Sequence, residues 1–396
     1  MRVLMLTHNM AWYGGSFMRV FPLARELAQM GYGVTVLAGR TSPGGLRIVE
    51  TRGSVRVIQQ PDPLPERMRH GGLSPFDLIG RAARALSEQY DLVHCFNHRP
   101  AAAIPALLAR SRWRVPLVYD WADLWGRGGI ADMRGPLSRQ TLGWLDGQGE
   151  RRLAHLADAV TVISSDLGAY ARAAGVPAER IHPLPVGADV ENIRLLPKAA
   201  TRVKYQLPPD APIVVHIGFA PYDADLLAGT FVSLARMYPA VILLTAGRLP
   251  PQVVAALERA GLRHHLRELG AVPYESLGEV LACGDVMILP YSNTSINRHR
   301  YPNRLGDYLA AGRPVVTNRT GDAGDLVSRE RVGLVVEEDP EQFAGAIRAL
   351  LEQPAQCEEM GRRARALAEG PLSWRAMAAR LDAIYHGLVD QERGRR

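Results

Sequence analysis

Between Arg298 and Asp307 the chain crowds Arg298, His299, Arg300 and Arg304 around the start of a helix that the sequence predicts over "PNRLGDYLAA", with Pro302 in its first turn. A helix N-terminus carries roughly half a positive charge, so cations gathered there imply that an anion joins them. Free backbone N–H groups at such a start suit a phosphate, and Arg304 could grip it with its planar fork. Asp307, three residues further on, offers a carboxylate that could accept from two hydroxyls, as on a ribose. Together the two could hold a nucleotide's phosphate and sugar. The alternative is a surface ion pair between them, worth only about 0.3–0.5 kcal/mol. Leu305, Tyr308 and Leu309 would face the core, and Gly312 would stop the helix.

Other side chains with chemical potential follow N-terminal strands. Trp12, Tyr13, Trp121 and Trp125 could stack on a sugar acceptor or pack in the core. Asp123 could orient an acceptor hydroxyl or take its proton, or could cap a helix. His94, His98 and His216 lack metal-ligand spacing and read as structural or solvated. The "DAD" of residues 223–225 is similar to the Asp-x-Asp metal motif of an unrelated fold, but Asp favours helix openings. No bound metal is predicted.

These residues need a scaffold. Strand-like "RVLMLTH", "GVTVLAG", "VRVIQQ", "DLVHCF", "PLVYDW" and "AVTVIS" alternate with helical stretches, and the alternation predicts a doubly wound parallel sheet. Prolines 185, 197, 208, 209 and 212 mark a linker. The pattern then restarts with "IVVHIG", "AVILLTAG", "LRELGAV" and "DVMILPY", with "SNTSINRHR" read as a loop. The fold class is therefore α/β with two Rossmann-like domains, over residues 1–190 and 191–372. A last helix over 373–396 packs on its own domain or bridges back to the first. Ligands of open α/β sheets bind outside the carboxyl ends of the strands, which predicts a site in a central cleft that the two domains face.

The 396 residues, 47% hydrophobic and 22% charged, fit two soluble domains. The net charge of +7 is almost all arginine, since Lys198 and Lys204 are the only lysines. Such a balance suits nucleic acid, an anionic membrane surface or phosphorylated substrates, or is simply a solvated arginine-rich surface. No run of five or six basic residues and no nucleic-acid motif is present, so no nucleic-acid partner is predicted. Arg67, Arg69, Arg81 and Arg84, flanking the apolar "LSPFDLI", could touch the cytoplasmic membrane face, or be solvated. No apolar run reaches membrane-span length, no signal peptide precedes the first strand, and the three cysteines stand far apart. These features predict a cytoplasmic protein that could sit peripherally at the inner membrane face.

"PNRLGDYLAAGRPVV" resembles the P-x-K-x-x-E-Y-x-A-x-G-x-P-V-V segment of GT-B glycosyltransferases, in particular the group-1, family-4-like retaining enzymes. "THNMAWYGGSFMRVFPLARELAQMGYGVTVLA", "YDWADLW", the inter-domain "ADAVTVISSDLGAYARAAGVPAERIHPLPVGAD" and "LGAVPYESLGEVLACGDVMILPY" agree in order with it. The resemblance implies a nucleotide-sugar donor held by the C-terminal domain and an acceptor presented by the N-terminal one. It puts Arg304 at the diphosphate as the catalytic stabiliser; Asp123 is the other catalytic candidate. It also puts Asp307 at the ribose, Val272 at the base, and Gly14 and Gly15 near the donor phosphates, where glycine allows close approach or merely a tight turn. Gly218, Tyr291, Pro302, Asn303 and Leu305 complete the implied donor set. The chain departs from the pattern after "HIG", where the family's Arg and Lys are missing, and at His299, where the family has Glu. Phosphate charge would then fall on Arg298, Arg300 and Arg304. The implied activity is transfer of a sugar, with retention and without metal or cofactor, to a hydroxyl of a saccharide or lipid-linked acceptor. A degenerate nucleotide or glycan binder and a nucleotide-sugar 2-epimerase are the alternatives.

Overall fold

The computed structural model describes residues 1–12, 15–69 and 71–395, the side chains of residues 67, 68 and 395 excepted. The chain forms two units, Met1–Val186 with Trp374–Arg396, and Gly187–Ser373.

In the first unit the strands are β1 (Arg2–Met10), β2 (Gly33–Gly39), β3 (Ile48–Arg52), β4 (Val55–Gln59), β5 (Leu92–Phe96), β6 (Leu117–Trp121), β7 (Ala159–Val162) and β8 (Ile181–Pro183). They line up as β3-β4-β2-β1-β5-β6-β7-β8, all parallel except the β3–β4 hairpin. The central strands are apolar on both faces, with Val3 to Leu6 and Leu92 and Val93 fully covered, as parallel strands between helical layers must be. The final helix, Trp374–Arg395, closes this unit. Its buried Tyr385 hydroxyl lies 2.6 Å from His94 Nδ1 on β5, and Tyr32 donates to Asp382.

The second unit holds β9 (Ile213–Ile217), β10 (Ile242–Ala246), β11 (Leu266–Glu268), β12 (Val286–Leu289), β13 (Val315–Asn318) and β14 (Gly333–Val336) in the order β11-β10-β9-β12-β13-β14, all parallel. Strand order reverses between β9 and β12, so their carboxyl ends straddle a switch point, where a crevice opens in this architecture. Phe231, Leu234, Leu243, Phe343 and Ile347 fill the core against one sheet face.

Several local predictions are corrected. The segment read as the loop "SNTSINRHR" contains a short helix, Ser295–His299, because the Thr294 hydroxyl caps it by accepting from Asn297 N at 3.2 Å. The proline-rich linker carries a helix at Lys198–Lys204, and "LRELGAV" is strand only over Leu266–Glu268. The edge strands β3 and β8 lacked the alternation that marks a strand. Arg69 and Arg81 are buried and hold the protein's interior together rather than lipid. Arg69 donates to Leu64 O at 2.8 Å, and Arg81 pairs with Asp77 at 2.7 Å. Arg84 pairs with Glu88. The Arg67 side chain lies outside the described residues.

Candidate active site

The switch point of the second unit collects the charged residues. His216, the fourth residue of β9, is buried and ties to Ile288 O of β12 at 2.9 Å. Burial, with Arg304 nearby, pushes its pKa down to about 3, so the ring is neutral and Nδ1–H donates. Beyond it the chain turns at Gly218, whose φ of +61° favours glycine.

Arg304 stands in the first turn of the helix Asn303–Ala310, which begins after Pro302. Its guanidinium donates to Gly218 O at 2.6 Å and Ile217 O at 3.3 Å, and lies 3.5 Å from Asp223 Oδ2. Arg300 donates to the Tyr222 hydroxyl. Two arginines therefore converge on the turn 217–223, the segment that itself lacks a basic residue. Arg298 does not join them; it is exposed and donates to Asn293 Oδ1 at 2.6 Å. His299 Nδ1 donates within its own short helix to Ser295 O at 2.7 Å.

Asp223 stands where sequence reasoning put it, at the opening of a helix, but what its carboxylate touches was not readable. It does precede the helix Ala224–Met237, but its carboxylate does not cap that helix. Instead Oδ1 accepts from Ser292 N at 3.0 Å and Asn297 Nδ2 at 2.8 Å, leaving Oδ2 toward Arg304. Burial raises its pKa while Arg304 opposes the rise. The "DAD" spacing signalled an acid here, but not that its partners would come from residues 292–304.

Asp307 does not share Arg304's partners. It accepts from the Tyr274 hydroxyl at 3.4 Å, and burial followed by repulsion from Asp189 raises its pKa to about 7. Tyr274 is two residues from the half-buried Val272, so the hydrogen bond joins Asp307 to the segment that carries Val272. Leu305 is a correction: its side chain is fully buried and its N–H donates to Pro302 O at 3.0 Å, so it has nothing to offer a ligand. Asn303 is exposed at the helix start. Tyr291 is buried after β12, its backbone clamped by the Asn318 amide at 2.9 and 2.8 Å.

In the first unit, Tyr13 and Gly14 lie outside the described residues. Gly15 has φ +58°, and a Cβ there would meet the Asn9 side chain at 2.4 Å, so it serves a tight turn packed on Asn9. Trp12 is 39% exposed, with its ring edge-on to Phe17 and Phe21. Trp121 is a correction: it is 1% exposed among Tyr119 and Tyr170, which leaves no face for a sugar. Trp125 packs edge-on to His8 and His98 with the Arg99 guanidinium over its ring. Asp123 is half-buried. Sequence reasoning missed Glu150, buried beneath the loop after β6, where it accepts from Trp121 Nε1, Trp125 N and Gly126 N at 3.2, 2.7 and 3.0 Å. Burial nevertheless raises its pKa to about 8. Among the described residues, no three His, Cys, Asp or Glu side chains gather as a metal cage.

Residues 14–187 match the glycosyl transferase 4-like domain and residues 211–353 the glycosyl transferases group 1 domain. The chain belongs to the group-1, family-4-like GT-B glycosyltransferases. Over 97% of its length it is 27% identical to a D-inositol 3-phosphate glycosyltransferase of Nocardia farcinica, covering 87% of that protein. It is 25% identical to an MMP alpha-(1->4)-mannosyltransferase of Mycolicibacterium hassiacum, with 98% of each chain covered. The sucrose-phosphate synthase of Thermosynechococcus elongatus superposes with a TM-score of 0.80 at 20% identity, over 98% of this chain and 99% of that one. HepE of Anabaena, solved with UDP and glucose, superposes at 0.72 and 16% identity, over 98% and 100%. These superpositions make the fold of the glycosyltransferase GT-B.

Proposed function

We propose that this glycosyltransferase takes its sugar from a nucleoside diphosphate donor and passes it, with retention and without metal, to a hydroxyl of a saccharide or lipid-linked acceptor. The convergence of Arg300 and Arg304 on the turn 217–223 carries this reading, because it returns positive charge to the place where the turn's own sequence has none. Arg304 and the N-terminus of its helix would stabilise the charge that grows on the leaving diphosphate. That diphosphate would take the acceptor proton on the face it departs from, which keeps the anomeric configuration and needs no protein nucleophile. Asp307, once ionised, would accept from the ribose hydroxyls, with Val272 along the base. The relatives named for inositol phosphate favour a phosphorylated cyclitol or sugar as acceptor, and HepE's ligands make UDP-linked sugars the first donors to try.

A catalytically silent nucleotide binder is the competing reading, and Asp223 favours it, since its carboxylate offsets part of the charge of Arg304. Thermal shift with a panel of nucleoside diphosphates and their sugars, then turnover with the donor that binds, separates the two. A ligand at about 100 times its dissociation constant should add roughly 2.7 kcal/mol of stability. Binding lost in Arg304→Ala, with chelator-insensitive transfer and retained configuration by NMR, supports the enzyme. Binding without transfer to any acceptor supports the silent form, and no binding by the parent overturns the donor site.

A further inference from the structure

Glu150 is a fully buried acid for which the donor chemistry has no use. It belongs to the helix Pro136–Leu156, which turns Gly143, Gly147 and Glu150, at i, i+4 and i+7, toward the segment that follows β6. A Cβ on Gly143 would lie 2.6 Å from the Ala131 Cβ, and one on Gly126 would lie 2.8 Å from the Gly147 Cα. Glycine inside a helix is destabilising relative to alanine, so two of them on one face mark a close approach that the fold needs.

On the loop seated there, residues 122–129, Glu150 acts as a clasp. Its Oε1 accepts from Trp125 N at 2.7 Å and from the Trp121 indole at 3.2 Å, and its Oε2 accepts from Gly126 N at 3.0 Å. The carbonyls of Leu124, Trp125 and Gly126 accept from Ile130, Ala131 and Gly129. The backbone on either side of Trp125 is thus tied through its donors and its acceptors alike, which leaves Asp123 and the Trp125 ring little freedom. Arg99 and Arg134 do not share the task, since both turn to Asp146, at 2.5 and 2.8 Å.

The place of the loop gives this grip a use. In the first sheet the strand order reverses between β1 and β5, so this sheet has a switch point of its own, where ligands of open α/β sheets bind. Trp125 reaches it from β6: its ring is edge-on to His8 of β1 at 5.4 Å and to His98, two residues past β5, at 6.1 Å.

We propose that Glu150 is the positioning residue of the acceptor site, holding residues 122–129 so that Asp123 and Trp125 stand at the β1–β5 switch point where the acceptor hydroxyl is received. This rests on the reading that the first unit presents the acceptor. Around the Glu150 carboxyl stand Asp146 of its own helix, His98 and Arg99 from beyond β5, and Tyr119 of β6; His98 Nδ1, at 4.0 Å, is beyond hydrogen-bond reach. Burial, with Asp146 adding to it, raises the pKa to about 8 against the pull of the three N–H donors. The full clasp, three donors on an ionised carboxylate, therefore forms as pH rises through about 8.

Glu150→Gln tests the role, because an amide turns its own N–H groups toward one of the three donors at every pH. Well above the Glu150 pKa, amide exchange at Trp125 and Gly126 should quicken about tenfold in the variant. With a nucleotide sugar that binds, and inositol 3-phosphate and hexose phosphates as acceptor probes, the acceptor KM should rise about tenfold, while the donor KM and the nucleotide thermal shift hold. Well below that pKa the parent should approach the variant, a convergence that a merely structural residue would not give. Added to Asp123→Asn, Glu150→Gln should change the acceptor KM little further, since one acts through the other. Gly126→Ala, which crowds Gly147, should raise the acceptor KM with Glu150 intact and stands in if the Gln variant does not fold. Unchanged exchange, a rise in the donor KM instead, or full additivity with Asp123→Asn overturns the proposal. Should the parent transfer to none of the probes while it binds the donor, the acceptor reading has failed, and the exchange result alone decides whether Glu150 holds the loop.

Discussion

Burial beside Asp189 raises the Asp307 carboxyl from 3.8 to about 7, so near neutrality the group divides between two charge states. Between those values the folded protein holds a proton that the unfolded chain has lost. The group's contribution to stability is full below 3.8 and lost as pH rises through about 7. Thermal unfolding across this range should show that slope in the parent and not in Asp307→Asn. Donor affinity should run the other way, rising through about pH 7 as the ionised carboxylate becomes the acceptor for ribose hydroxyls. Calorimetric titration with a nucleotide sugar should find that rise absent in the Asn variant. Asp223→Asn should tighten nucleoside diphosphate binding by about 1 kcal/mol, or fivefold, because the amide oxygen can keep the bonds from Ser292 and Asn297 while the charge opposing Arg304 disappears. Arg304→Ala should weaken it by about 1.5–3 kcal/mol. That Arg304 and Asp307 stand on one helix was legible because their spacing is local. The place of Asp223 at a helix start was legible too, but not its partner, which lies 81 positions away.

Alternation of strands and helices made both sheets readable, since a strand followed by a helix can return only as a parallel neighbour. The elements that escaped are those held by single contacts. The helix Ser295–His299 depends on the Thr294 cap, so Thr294→Ala should cost about 1 kcal/mol in denaturant unfolding and loosen Arg300 from Tyr222. The helix that carries Arg304 is placed by a close approach that the sequence does not reveal. A Cβ on Gly306 would sit 2.9 Å from Gly187 O, so Gly306→Ala should destabilise by about 1–3 kcal/mol and raise the donor KM.

At the scale of the whole molecule the two units differ in how the chain supplies them. Residues 187–373 are contiguous, whereas the first unit needs Met377, Leu381 and Tyr385 from the far end of the chain, all fully buried. A chain ending at residue 373 should therefore lose hydrogen-exchange protection in β1 and β5 while the second unit keeps its nucleotide-dependent thermal shift. The amphipathic stripe of the last helix was plain in the sequence, but not the surface it covers, because no local pattern names a partner such as His94. The split layout also fixes an order of events during synthesis. At about 5–20 residues per second, the ribosome needs roughly 10–40 s to make residues 187–373. Through that interval the first unit waits on the nascent chain with β5 and its neighbours uncovered, and the second unit, though later in the message, is the first that can finish folding.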